Sequence, residues 1–207
     1  MIAIIDYGVG NLRSVEKAFQ FLGYEAMTSN DKDFIQKADA VVLPGVGAFA
    51  DAMSSLKTTG LDELVYQLID SQKPFLGICL GMQLLFDYSE EGGNPEGLGI
   101  LRGGIKLIPD RGILKVPHMG WNKLTITKEN QLFKDLPVDP YVYFVHSYYL
   151  EAADRDNVIG TTTYGIEIDV AVNKGNIYAT QFHPEKSGEV GLKILDNFGK
   201  IAYKKLI

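Results

Sequence analysis

Residues 75 to 86 read Phe75-Leu76-Gly77-Ile78-Cys79-Leu80-Gly81-Met82-Gln83-Leu84-Leu85-Phe86: an apolar run, a cysteine framed by two glycines, then a second apolar run. The first run suits a buried parallel strand and the second a helix, so the segment predicts a sharp strand-to-helix turn with Cys79 at its apex. A cysteine among apolar residues is by default a small buried hydrophobe. The glycines oppose that default, because so sharp a turn needs neighbours without a Cβ to hold a nucleophile in a strained position. A helix starting just after Cys79 would turn its unpaired N–H groups and positive dipole end toward the sulfur, which favours the thiolate and offers a donor to an oxyanion.

Working outward from this turn, short apolar runs alternate with amphipathic stretches throughout the first half. Ile2 to Ile5 reads as a buried strand, and Leu12, Val15, Phe19 and Leu22 recur at helical spacing between an Asn11 cap and Gly23. Further strands are expected over Tyr24 to Thr28, Ala40 to Leu43 and Phe75 to Ile78, the last preceded by a helix carrying Leu61, Leu64, Val65, Leu68 and Ile69. Such alternation implies an α/β fold with a doubly wound, mostly parallel central sheet of flavodoxin-like type. The second half changes character. Strands are expected over Ile105 to Ile108, Leu124 to Thr127, Tyr141 to Val145, Val158 to Thr163, Ile166 to Val172 and Ile177 to Phe182, with turns at Gly165 and Lys174-Gly175-Asn176. They imply an antiparallel, β-rich extension of the sheet. A closing helix from Glu189 presents Leu192, Leu195, Phe198 and Ile201 or Ala202, and Gly92 to Gly104 reads as a long loop.

The 207 residues, 46% of them hydrophobic, suffice for one substantial core, so residues 1–207 are read as a single domain. A formal charge of -6 disfavours nucleic acid as a partner, since phosphate binding needs clustered Lys and Arg. A lone cysteine excludes an internal disulfide. The first residues enter a strand without a cationic leader and no long apolar span follows, so a cytoplasmic protein without membrane contact is expected.

A nucleophile at Cys79 needs a base and a group to orient that base. Of the three histidines, only His183 ends an expected strand and has a carboxylate two residues on, in Gln181-Phe182-His183-Pro184-Glu185. Pro184 imposes an extended path on its neighbour, so His183 and Glu185 can face the same side of the turn. A Cys79-His183-Glu185 triad follows, in which imidazole takes the thiol proton and Glu185 holds the imidazolium. Oxyanion donors are expected from Pro44-Gly45-Val46-Gly47, at the carboxyl edge of the third strand, through the N–H of Gly47, with the N–H of Leu80 as the second. His118 and His146 read as packed histidines. The three histidines lack the short spacing of a zinc site, and no metal or cofactor is expected. Gly8-Val9-Gly10 has Arg13 where a dinucleotide fingerprint needs its third glycine.

The elbow Gly77 to Phe86, the Pro-Gly-Val-Gly loop and the terminal Gln-Phe-His-Pro-Glu together resemble the class I glutamine amidotransferases. The opening Ile2 to Phe19, Val116-Pro117-His118-Met119-Gly120-Trp121-Asn122, Tyr143 to Tyr148 and Gln181 to Gly188 are similar to one branch of that family, the glutaminase subunits of imidazole glycerol phosphate synthases. The match spans essentially the whole chain. It implies hydrolysis of L-glutamine to glutamate and ammonia through a thioester on Cys79. Gly45, Gln83, Glu91 and the backbone of His146, Ser147 and Tyr148 match positions that hold glutamine. The resemblance also implies a heterodimer with a (β/α)8-barrel cyclase of histidine biosynthesis that receives the ammonia, with Met119, Trp121, Tyr143 and Lys186 near the interface. Other readings are a different class I amidotransferase, a γ-glutamyl thiol hydrolase, and a catalytically idle α/β binding module.

Overall fold

The computed structural model describes residues 1–109, 112 and 114–204. In chain order its elements are β1 (Ile2–Ile5), α1 (Leu12–Phe21), β2 (Ala26–Ser29), α2 (Lys32–Lys37), β3 (Ala40–Gly45), α3 (Phe49–Thr59), α4 (Leu61–Asp70), β4 (Phe75–Cys79) and α5 (Leu80–Gln83). There follow β5 (Tyr88–Ser89), β6 (Gly103–Leu107), β7 (His118–Lys123), β8 (Thr125–Ile126), β9 (Tyr141–His146), β10 (Tyr148–Ala152), β11 (Val158–Tyr164), β12 (Ile166–Lys174), β13 (Ile177–Thr180) and α6 (Gly188–Lys204).

The main sheet runs β2-β1-β3-β4-β13-β12-β10-β6-β5, and β2 through β13 in this order are parallel. From β13 onward β12, β10 and β6 pair antiparallel, β11 joins β12, and β7 with β9 forms a separate antiparallel ribbon. The expected fold class is therefore the observed one.

Strand alternation divides the core in two. Ala3, Ile5, Val41, Leu43 and Phe75 face Leu56, Leu64, Val65 and Leu68 of α3 and α4, whereas Ile2, Ile4, Val42, Leu76 and Ile78 face Val15, Phe19, Leu195 and Phe198 of α1 and α6. Each of these side chains larger than alanine contributes roughly 1.5–3 kcal/mol of transfer free energy on burial. A helix-covered sheet exposes only its strand ends, and these are where ligands bind in such folds.

Several expectations need correcting. The second strand lies at Ala26–Ser29 rather than from Tyr24, and α2, α3, β7 and β10 were not anticipated. The helix after Cys79 is one turn long. It gives way to i→i−3 bonds, Leu85 N to Met82 O and Phe86 N to Gln83 O, and the carbonyls of Leu84, Leu85 and Phe86 then accept from the backbone N–H groups of Leu98, Leu101, Ile100 and Gly99 in the expected long loop instead of from a further turn.

Candidate active site

Adjacent parallel strands place their ends in register: Gly45 of β3 lies opposite Cys79 of β4, and Thr180 of β13 opposite Ile78. The Pro-Gly-Val-Gly loop, the cysteine turn and His183-Pro184-Glu185 consequently meet at one edge. The strand order reverses beside β1, whose own carboxyl end leads to Asn11 at the same edge.

Cys79 itself carries the strain, at φ 55 and ψ -111, a conformation costing a residue with a Cβ about 1–3 kcal/mol. The flanking glycines serve another purpose than the turn freedom expected of them. A Cβ on Gly81 would sit 1.7 Å from the Leu43 carbonyl oxygen, and one on Gly77 2.9 Å from that of Gly81. Gly81 thus lets α5 lie against the backbone of β3, and Gly77 lets it lie against β4, on either side of the strained cysteine.

His183 donates from Nδ1 to Glu185 Oε1 at 2.7 Å, and both side chains are buried. Among the described residues its Nε2 has no hydrogen-bond partner of ordinary geometry, and Cys79 is the side chain it interacts with on that side. Burial alone lowers the His183 pKa; the interactions with Cys79 and then Glu185 outweigh it and raise the value to about 10. The two partners thus favour the imidazolium form of His183. Its backbone is clamped as well, with the N–H donating to Tyr143 O at 3.0 Å and the carbonyl accepting from Ser187 Oγ at 2.6 Å.

The sequence reading missed two residues of this cluster. Asn11, expected to cap α1, makes no side-chain cap and instead donates from Nδ2 to Glu185 Oε1. Gln181, fully buried, points Nε2 at Cys79 Sγ, 3.7 Å away. The i, i+2 alternation of an extended strand end places Gln181 beside His183 and could have revealed it.

Cys79 opens into a hollow of about 370 Å³ lined also by Val46, Gly47, Leu80, Gln83, Glu91, Pro117, Val145, His146, Ser147 and Tyr148. Seven of these lining residues are expected site residues. Gly45 is absent from the lining: it lies beneath, where a Cβ would meet Tyr7 Oη at 2.2 Å. Glu91 accepts from Phe49 N at 2.9 Å through Oε2, capping α3 while facing the hollow. A larger hollow of about 590 Å³ beside Asn130 and Lys134 holds neither cysteine nor histidine.

His118 and His146 are packed, as expected, and bonded to each other, Nδ1 to Nε2, at 3.0 Å. His146 Nδ1 donates to Tyr148 O at 2.8 Å, so its Nε2 accepts and His118 Nδ1 is the donor. Burial dominates both and lowers each pKa to about 4. At the rim, Met119 and Trp121 are 63% and 56% exposed, Trp121 meets half-buried Tyr143 edge-on at 6.1 Å, and Lys186 is exposed.

The family described as glutamine amidotransferase class-I matches residues 3–202. A crystal structure of a glutamine amidotransferase, 19% identical, shares the fold with a TM-score of 0.74 over 96% of this chain and 100% of that one. The chain is an enzyme of this class. The imidazole glycerol phosphate synthase subunit HisH of Caldanaerobacter subterraneus subsp. tengcongensis is 53% identical, covering 97% of this chain and 98% of the relative. The subunit of that name from Methanocaldococcus jannaschii is 48% identical, over 96% and 98% respectively. The chain belongs to the HisH family of class I glutamine amidotransferases.

Proposed function

We propose that this chain, one catalytic domain, is the glutaminase subunit of an imidazole glycerol phosphate synthase. The observation that carries the reading is His183 held between Glu185 and Cys79, whose sulfur opens into a hollow of about 370 Å³. Cys79 sulfur attacks the side-chain amide carbon of L-glutamine, and the oxyanion is met by the N–H groups of Gly47 and Leu80. Collapse of the tetrahedral intermediate breaks the C–N bond. His183 gives its Nε2 proton to the leaving nitrogen, and ammonia departs from a glutamyl thioester. Neutral His183 then takes a proton from water, which adds to the thioester and releases glutamate. Glu185 accepts from Nδ1 throughout and stabilises each imidazolium.

For substrate binding, Glu91 keeps Oε1 free for the α-ammonium, since Oε2 is engaged with Phe49. The backbone of His146, Ser147 and Tyr148 holds the carboxylate, and Gln83 offers its side-chain oxygen. Ammonia protonates in water and loses its nucleophilicity, so the enzyme gains by docking on its acceptor, a (β/α)8-barrel cyclase acting in cytoplasmic histidine biosynthesis. The exposed Met119 and Trp121 with Tyr143 and Lys186 suit that heterodimer interface. Tyr143 O accepts from His183 N, so this surface borders the catalytic turn.

The test is glutamate release from glutamine by the chain alone, with the cyclase, and with cyclase plus its ribotide ligand, against Cys79→Ala. Cys79-dependent release in the full mixture supports the assignment. Release from γ-glutamyl peptides but not free glutamine would replace it with a thiol hydrolase.

A further inference from the structure

We propose that the side-chain amide of Gln181 belongs to the catalytic machinery: it donates an N–H to Cys79 sulfur, and Gln83 sets the direction in which that amide faces. Gln181 is 0% exposed, with Nε2 3.7 Å from Sγ. Gln83 donates from Nε2 to Gln181 Oε1 at 2.9 Å and to Tyr148 O at 3.2 Å.

A backbone carbonyl can only accept, and this one fixes the orientation of both amides. Turning Gln83 over would set its carbonyl against that of Tyr148. With Gln83 so fixed, turning Gln181 over would set its NH2 against the NH2 of Gln83 and its oxygen against the sulfur. Only one arrangement satisfies all contacts, and it aims N–H at Sγ. Tyr148 O also accepts from His146 Nδ1, which anchors the relay to β10. Gln83 is therefore a positioning residue with both donors committed, and its Oε1 is the atom left for a ligand.

The donor acts twice if the glutaminase reading holds, on which this kinetic consequence rests. It holds the thiolate where it attacks, and it receives the sulfur again when water cleaves the thioester and the S–C electron pair returns to Sγ. The contact itself does not depend on the substrate. The titratable groups facing the sulfur are His183, Tyr7 and, across the hollow, Glu91 and His146.

The test is alkylation of Cys79, the single cysteine, by iodoacetamide in the isolated chain as a function of pH, for wild type, Gln181→Leu and Gln83→Leu, with thermal melts to verify folding. Gln181→Leu is expected to move the alkylation profile roughly one pH unit toward more alkaline pH, the low end for a hydrogen bond to a charged acceptor. Gln83→Leu moves it the same way by less. A folded Gln181→Leu chain with the wild-type profile, even with a lowered melting point, overturns the proposal and leaves Gln181 a packing residue. If Gln181→Leu does not fold, Gln83→Leu decides by the same profile. Because no glutamine or cyclase is present, a wrong substrate assignment would not alter this result; it would appear as absent glutamate release by wild type.

Discussion

Gly45→Ala and Tyr7→Phe should be strongly non-additive, because one oxygen atom is the main obstacle to the new methyl group. Tyr7 is 1% exposed and donates from Oη to Pro44 O at 2.8 Å, immediately before the loop at the mouth of the site. A Cβ on Gly45 would lie 2.2 Å from that Oη, then 3.1 Å from Leu80 Cβ and 3.3 Å from Gly81 N. Overpacking of this kind costs about 1–3 kcal/mol, which for a chain of this size lowers the melting midpoint by roughly 2–4 °C per kcal/mol. Tyr7→Phe loses one buried hydrogen bond and orphans a carbonyl, about 1–3 kcal/mol. In the double variant the oxygen is gone and only the two milder contacts remain, so Gly45→Ala should cost about 1–2 kcal/mol less than in the Tyr7 background. Urea unfolding of the four proteins, at constant m-value, measures the cycle. Two destabilised single variants whose costs add within about 0.5 kcal/mol would refute the steric account of Gly45.

Three further outcomes follow from the same geometry. Asn11→Gly removes the donor to Glu185 while keeping the φ of 74 accessible, and glutamate release by the cyclase complex should fall roughly tenfold at unchanged KM; an unaltered kcat would show that Glu185 is held without Asn11. Because His118 and His146 have folded pKa values lowered to about 4, the unfolded chain binds more protons between its own value, near pH 6.5, and that point. Stability should therefore fall by about 2 kcal/mol or more as pH drops through this window, while His183, raised to about 10, contributes stability that is lost only as pH rises above neutrality. Chemical denaturation against pH measures both slopes, and a flat acid limb would contradict the neutral histidine pair. Trp121→Ala, at an exposed edge-on contact with Tyr143, should weaken cyclase binding about thirtyfold or more if it is a hot spot, and unchanged affinity in calorimetry would remove it from the interface.

The parallel half of the sheet was legible because β1, β3 and β4 are buried on both faces and read as unbroken apolar runs. The helix α3 carries a complete stripe, Phe49, Ala52, Met53 and Leu56, yet two of these residues are Ala and Met and the stripe follows directly on a glycine loop. β7 was hidden for a different reason. Its outward residues include Met119 and Trp121, so the usual rule of apolar side chains inward is inverted along the strand. Such a pattern lacks a strand signature because those side chains are not part of this chain's own core.

The site divides along similar lines. The proposed triad of Cys79, His183 and Glu185 was open to proposal from sequence because a nucleophile, its base and the base's anchor are restricted to few residue types, and two of the three lie within one turn of sequence. Asn11 and Gln181 were not, since an amide is an ordinary surface residue until its partner is known. Here the partners lie 174 and 102 residues away. What selects an amide at both places is donor direction. Glu185 in its ionised form can only accept, and the sulfur next to an imidazolium is an acceptor too, so each needs a neutral donor that adds no further charge to a buried cluster. A lysine at either position would compete with His183 for the same negative charge and lower its pKa, whereas an aspartate would orphan the acceptor it faced. The two amides are thus dictated by the triad's electrostatics, and that dictation becomes readable only once the fold has brought the strand ends together.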